Sequence, residues 1–98
     1  MPEFVNPFAG MVPRKLNKSE LIRAIRLNVA AEHEAVHAYT AHADATDDEL
    51  AKKVLMDIAD EERVHVGEFM ELLRRLAPGE AKLLEKGREE VEEMAEGE

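Results

Sequence analysis

Two glutamates and one histidine, Glu32, Glu62 and His65, stand where the surrounding pattern asks for hydrophobic side chains. Carboxylates and an imidazole make a ligand set for a divalent metal. Without thiolates that set suits Fe2+ or Mn2+ among redox metals, and Zn2+ would also bind. The series Ile22, Ile25, Val29, Glu32, Val36, Tyr39 and Ala43 alternates steps of three and four residues, the stripe that a helix buries. Only Glu32 and the hydroxyl of Tyr39 interrupt its apolar character. A second series, Ala51, Leu55, Ile58, Glu62, His65, Phe69, Leu72 and Leu76, is broken at two neighbouring positions. A carboxylate in a packed seam costs on the order of several kcal/mol unless it is paired or binds a metal.

Both helices must bring these groups to one level. With the turn centred near residue 46.5, Glu32 lies 14.5 residues before it and Glu62 15.5 after it. In an antiparallel hairpin rising about 1.5 Å per residue, both fall roughly 22 Å from the turn. His65 follows Glu62 by three residues and projects to the same side. Three ligands are half of a di-iron carboxylate set, which takes one Glu from each of two helices and a Glu-x-x-His pair from each of the other two. A two-fold axis would supply the other half. Two long helices also need a partner to enclose a core, so packing asks for the same pairing. The competing structural reading is a buried ion-pair network of Glu32, Glu62 and His65 that fixes register.

The expected fold is all-α: an antiparallel two-helix hairpin that dimerises into a ferritin-like four-helix bundle, with a short C-terminal helix. Residues 1–16 read as an extended arm because Pro2, Pro7 and Pro13 stop a helix from propagating. Residues 17–77 form the hairpin. Its first helix starts at Asn17, with Glu20 as capping-box partner, and runs to about Ala43. Residues 44–48 make the turn, Thr46 and Glu49 suggest a second capping box, and the second helix ends near Leu76 before Pro78. Residues 78–98 form an acidic tail, helical from Glu80 to about Met94 but weakened by Gly87.

Composition narrows the function classes. The chain of 98 residues has no Cys, which excludes disulfides, zinc ribbons and rubredoxin-type iron centres. Its net charge is −9; residues 1–26 hold five basic and two acidic residues, +3, leaving −12 on residues 27–98. An acidic body repels nucleic acid and anionic membranes and concentrates cations. No stretch approaches the roughly 20 apolar residues that cross a bilayer. A soluble chain that stays in the cytoplasm is the expectation.

The segments Glu32-His33-Glu34-Ala35-Val36-His37-Ala38-Tyr39 and Asp60-Glu61-Glu62-Arg63-Val64-His65-Val66-Gly67-Glu68-Phe69 resemble the two metal-bearing helices of encapsulated ferritins. The likeness covers roughly residues 18–76. It implies a ferroxidase that oxidises Fe2+ to Fe3+ at a di-iron centre between two subunits, for iron storage or detoxification. Glu32, Glu62 and His65 would be the iron ligands and Tyr39 would stand beside the centre. Glu62 would bridge or share the irons, with Glu32 and His65 terminal and a position left for O2 or peroxide. The family's hairpins pair and assemble into annular decamers, typically inside an encapsulin shell. Two departures accompany the likeness. Ala31 stands where relatives often carry a second acidic residue, and residues 92–98 contain no evident shell-addressing peptide. A shell fused beyond residue 98, or one that recognises the chain otherwise, is then the expectation. A peroxide-reducing di-iron protein would use the same ligands but needs an electron donor, and the absence of Cys removes a built-in rubredoxin donor.

His33-Glu34-Ala35-Val36-His37 also matches H-E-x-x-H, the zinc protease helix motif. Neither a third ligand in pattern nor a strand to hold a peptide accompanies it. The pair reads as solvated, with Zn2+ or Ni2+ binding as an incidental capacity. His42 reads as a solvated residue near the helix end.

Overall fold

The computed structural model describes residues 12–97. Most of the expected N-terminal arm therefore lies outside the described residues, and residues 12–17 are not helical. Three helices follow: α1 Lys18–Asp44, α2 Glu49–Leu76 and α3 Pro78–Glu96. The residues in these segments, rich in Ala, Leu, Glu, Lys and Arg, are the stronger helix formers.

Asn17 caps α1. Its Oδ1 accepts from the Glu20 backbone N–H at 2.9 Å, and Glu20 Oε1 accepts from the Asn17 N–H at 3.0 Å. Arg14 adds a bidentate pair, donating to both Glu20 oxygens at 2.7 and 2.6 Å. These bonds from Arg14 and then Asn17 lower the Glu20 pKa from its ordinary 4.5 to about 2. A carboxylate depressed in the folded state contributes stability that is complete above its unfolded pKa and lost as pH falls through the folded one. Glu20→Ala should therefore be less helical than the parent above pH 4.5, and the difference should vanish as pH falls toward 2. Circular dichroism during acid titration of both proteins measures it, and a difference constant down to pH 2 would exclude the linkage.

The start of α2 differs from expectation. Asp48 is the cap, its Oδ1 accepting from the Ala51 N–H at 2.8 Å, while Thr46 Oγ1 accepts from the Asp48 N–H at 3.2 Å. The Thr46–Glu49 box does not form because Thr46 stabilises the turn instead, and a carboxylate one residue before the helix caps better than a hydroxyl three residues before. Pro78 also does more than end α2. It stands at the first turn of α3, where its missing N–H leaves no helical bond unmade and its φ suits the helix. As a result α3 begins at residue 78 and continues through Gly87.

The four-residue turn makes α1 and α2 antiparallel neighbours. The buried residues are Ile25, Ala43, Ala59 and Leu73, and Ala59 is 0% exposed where the helices approach closely. On α2 the register is finer than the sequence pattern. Leu55, Ala59, Glu62, Val66, Phe69 and Leu73 turn toward α1, whereas His65 and Leu72 are exposed. The predicted seam placed Leu72 inward, but Leu73 takes that place. A second row, Ile58, His65 and Leu72, faces the open edge of the hairpin. On a helical wheel the edge of α1 on that same side carries Ala24, Ala31, Ala35 and Ala38, short side chains beside an apolar row. At the far end Arg26 donates to both oxygens of Glu80 at 2.9 and 2.6 Å, an ion pair that links the start of α3 to α1.

Candidate metal centre

Glu32 from the middle of α1 and Glu62 with His65 from the middle of α2 come together, and one ligand atom from each lies within 4.8 Å of the others. Their meeting follows from register. Helical caps at Asn17 and Asp48 fix where each helix begins, and the short turn sets Glu32 and Glu62 at matching heights. Rotation then aims them. Both carboxylates lie close to the line of contact between the helices, 22% and 19% exposed, while His65 stands about 60° round α2 and is 47% exposed. The three groups therefore face the open edge of the hairpin, with the acids deeper and the imidazole outermost.

Their distances are those of groups grouped around a point without being bonded to one another. His65 Nδ1 is 3.5 Å from Glu62 Oε2 and 3.6 Å from Glu32 Oε2, too long for charge-assisted hydrogen bonds. Glu32 Oε2 is buried and has no hydrogen-bond partner. A buried carboxylate oxygen is normally bonded, so an orphan beside a second carboxylate and an imidazole fits a cation ligand. The donor set, two hard oxygens and one imidazole nitrogen, suits Fe2+ or Mn2+.

Tyr39 lies half-buried on the same stripe of α1 as Glu32. Seven residues separate them, about 10 Å along the helix, and Tyr39 is not one of the three grouped ligands. Its hydroxyl has no hydrogen-bond partner among the described residues. Sequence reasoning placed His65 squarely in the seam; the structure sets it on the seam's open flank. His33, Glu34 and His37 are exposed and outside the cluster, as is His42 in the last turn of α1. A groove between the end of α2 and α3, lined in part by Arg74, Lys82 and Lys86, lies about 18 Å along α2 from Glu62 and shares no residue with the cluster.

A family model described as EncFtn-like matches residues 13–93. The chain is 52% identical over 81 residues to the encapsulin nanocompartment cargo protein EncC of Myxococcus xanthus, covering 83% of this chain and 62% of that protein. It is 40% identical over 90 residues to the ferritin-like–encapsulin shell fusion protein of Pyrococcus furiosus, covering 92% of this chain and 26% of that protein. The chain thus spans about three fifths of the first relative and a quarter of the second. Its structure matches the crystal structure of the encapsulated ferritin domain from Pyrococcus furiosus with a TM-score of 0.82 at 40% identity, covering 91% of each chain. Among the described residues, no helix is long and apolar enough to cross a membrane.

Proposed function

Because the chain belongs to the EncFtn-like family, the encapsulated ferritins, we propose that it is a ferroxidase: two hairpins pair, take up two Fe2+ between them and oxidise them to Fe3+. The observation that carries this reading is the convergence of Glu32, Glu62 and His65 on the open edge, with Glu32 Oε2 buried and unpartnered. A second hairpin related by a two-fold axis brings four carboxylates and two imidazoles together. Four negative charges balance two divalent cations, which removes the cost of burying either set alone. Pairing also covers the row Ile58, His65 and Leu72 and the alanine edge of α1.

In this reading Glu32 and Glu62 bind and orient the metal through oxygen, and His65 supplies the nitrogen that completes each half. Each iron would give up one electron, two per paired site, enough with two protons from solvent to reduce O2 to hydrogen peroxide or peroxide to water. Tyr39, half-buried two turns along the same stripe of α1 as Glu32, is assigned to the bundle interior beside the centre. The relatives named as encapsulin cargo and as a shell fusion support a further step, in which the paired chains deliver Fe3+ within an encapsulin shell. A polar network without metal is the rival. The contacts weigh against it, because neither 3.5–3.6 Å approach of His65 is a hydrogen bond and Glu32 Oε2 would stay unsatisfied.

Anaerobic Fe2+ titration tests the half-site directly. The expected end point is one iron per chain, hence two per pair, and Glu62→Ala should remove it. Two irons bound by each single chain, or none by the pair, would overturn the proposal.

A further inference from the structure

His33 and His37 take no part in the Glu32–Glu62–His65 cluster. Both are exposed on an unbroken stretch of α1, and their four-residue spacing sets their Cβ atoms about 5–6 Å apart on one face. That face is the edge opposite the open one: the wheel positions of His33 and His37 fall on the side of Arg26 and Thr40, away from Ala31, Ala35 and Ala38. Neither imidazole has a hydrogen-bond or ion-pair partner among the described residues. Two polar neighbours on that edge are already engaged, whereas exposed Glu34, three residues before His37, makes no hydrogen bond or ion pair among the described residues. The Thr40 hydroxyl donates to the Val36 and His37 carbonyls at 2.9 and 3.1 Å, and Arg26 is tied to Glu80.

We propose that His33 and His37 form a second, separate cation site, one per chain, that chelates Zn2+, Ni2+ or Cu2+ through two imidazole nitrogens. The ligand chemistry separates it from the first site. A pair of imidazoles follows the order that favours Cu2+, Ni2+ and Zn2+ over Fe2+, whereas a carboxylate-rich set leaves room for iron. Two donors held one helical turn apart bind as a chelate, since the second meets the metal at a high effective concentration. The net charge of −12 on residues 27–98 raises the local cation concentration around that edge. The site is built within a single hairpin and does not depend on the ferroxidase reading.

Zn2+ calorimetry on the full chain tests it. The parent should bind Zn2+ in two classes. The double variant His33→Ala with His37→Ala should lose one and keep the other, and Glu62→Ala should do the reverse. Each single histidine variant should weaken its class on the order of a hundredfold, the chelate contribution. Alanine is the stronger helix former, so α1 persists in these variants and circular dichroism verifies it. A double variant with the parent isotherm would overturn the proposal. So would loss of both classes in Glu62→Ala, or affinity that rises with protein concentration, which would assign the zinc to a bridge between chains.

Discussion

Rapid aerobic oxidation of Fe2+ should be abolished by Glu62→Ala and by His65→Ala, falling to the rate of free iron in buffer. Each change removes two ligands from a paired site, because both hairpins carry it. Even residues that only support metal ligands typically cost about 10–100-fold in affinity or activity when lost, so removing the ligands themselves should exceed that range. The controls separate the rival readings. His33→Ala with His37→Ala should leave oxidation near the parent rate, since those residues lie on the opposite edge. A protease reading would instead make activity on peptides depend on Glu34. A polar-network reading predicts no change in iron oxidation and a loss of about 3–5 kcal/mol, the penalty for breaking a buried charge pair. In the single hairpin Glu62 is 19% exposed and His65 47%, so solvent reaches both and a penalty of that size is not expected. Stopped-flow absorbance of the ferric product, with thermal melts of the same variants, reads both quantities. A folded His65→Ala protein that oxidises Fe2+ at the parent rate would remove His65 from the ligand set.

Much of this site was legible before any coordinates, and the reason is periodicity. A glutamate in the stripe between Val29 and Val36 is conspicuous because every neighbour at helical spacing is apolar. Counting from the turn then set Glu32 and Glu62 at one height, and their ligand atoms do meet. Rotation about the helix axis was harder to read. The predicted α2 stripe and the buried one share Leu55, Glu62 and Phe69 and differ in the row beside them: Ile58, His65, Leu72 in one case, Ala59, Val66, Leu73 in the other. Both rows are apolar enough to be buried, so sequence alone could not say which packs within the hairpin. The structure gives Ala59 and Leu73 to α1 and leaves His65 and Leu72 on the open edge. The cap of α2 is ambiguous in the sequence for a local reason. Thr46, Asp47 and Asp48 all offer an oxygen, and the choice depends on where the turn ends. The acidic composition of α3 understated that helix, whose start is set by Pro78 and whose i, i+3 and i, i+4 pairs of Arg88 with Glu85 and Glu92 support its middle.

Fe2+ should draw the hairpins together, and the pairing should in turn tighten iron binding. Each chain holds half of the proposed ligands, so the metal binds the pair far better than the single chain, and binding and pairing are reciprocally linked. With free Fe2+ a hundredfold above its dissociation constant, one such site favours the pair by about 2.7 kcal/mol, close to a hundredfold in the pairing constant. The apo pair faces an opposing term. Glu32 and Glu62 lie on the open edge, so closing two hairpins brings four carboxylates into one place, and unbalanced like charges resist that closure. The apolar row Ile58 and Leu72 works in the other direction, because pairing takes it out of water. These opposing terms predict a sign reversal. Glu32→Gln or Glu62→Gln should pair more tightly than the parent without metal, since the repulsion is gone, and should gain much less from Fe2+. Leu72→Ala should weaken pairing with and without metal alike. Anaerobic sedimentation or native mass spectrometry across a range of protein concentrations measures each constant. A parent whose pairing ignores Fe2+ while the glutamine variants pair no better would refute the shared site, and the apolar edge alone would then account for the assembly.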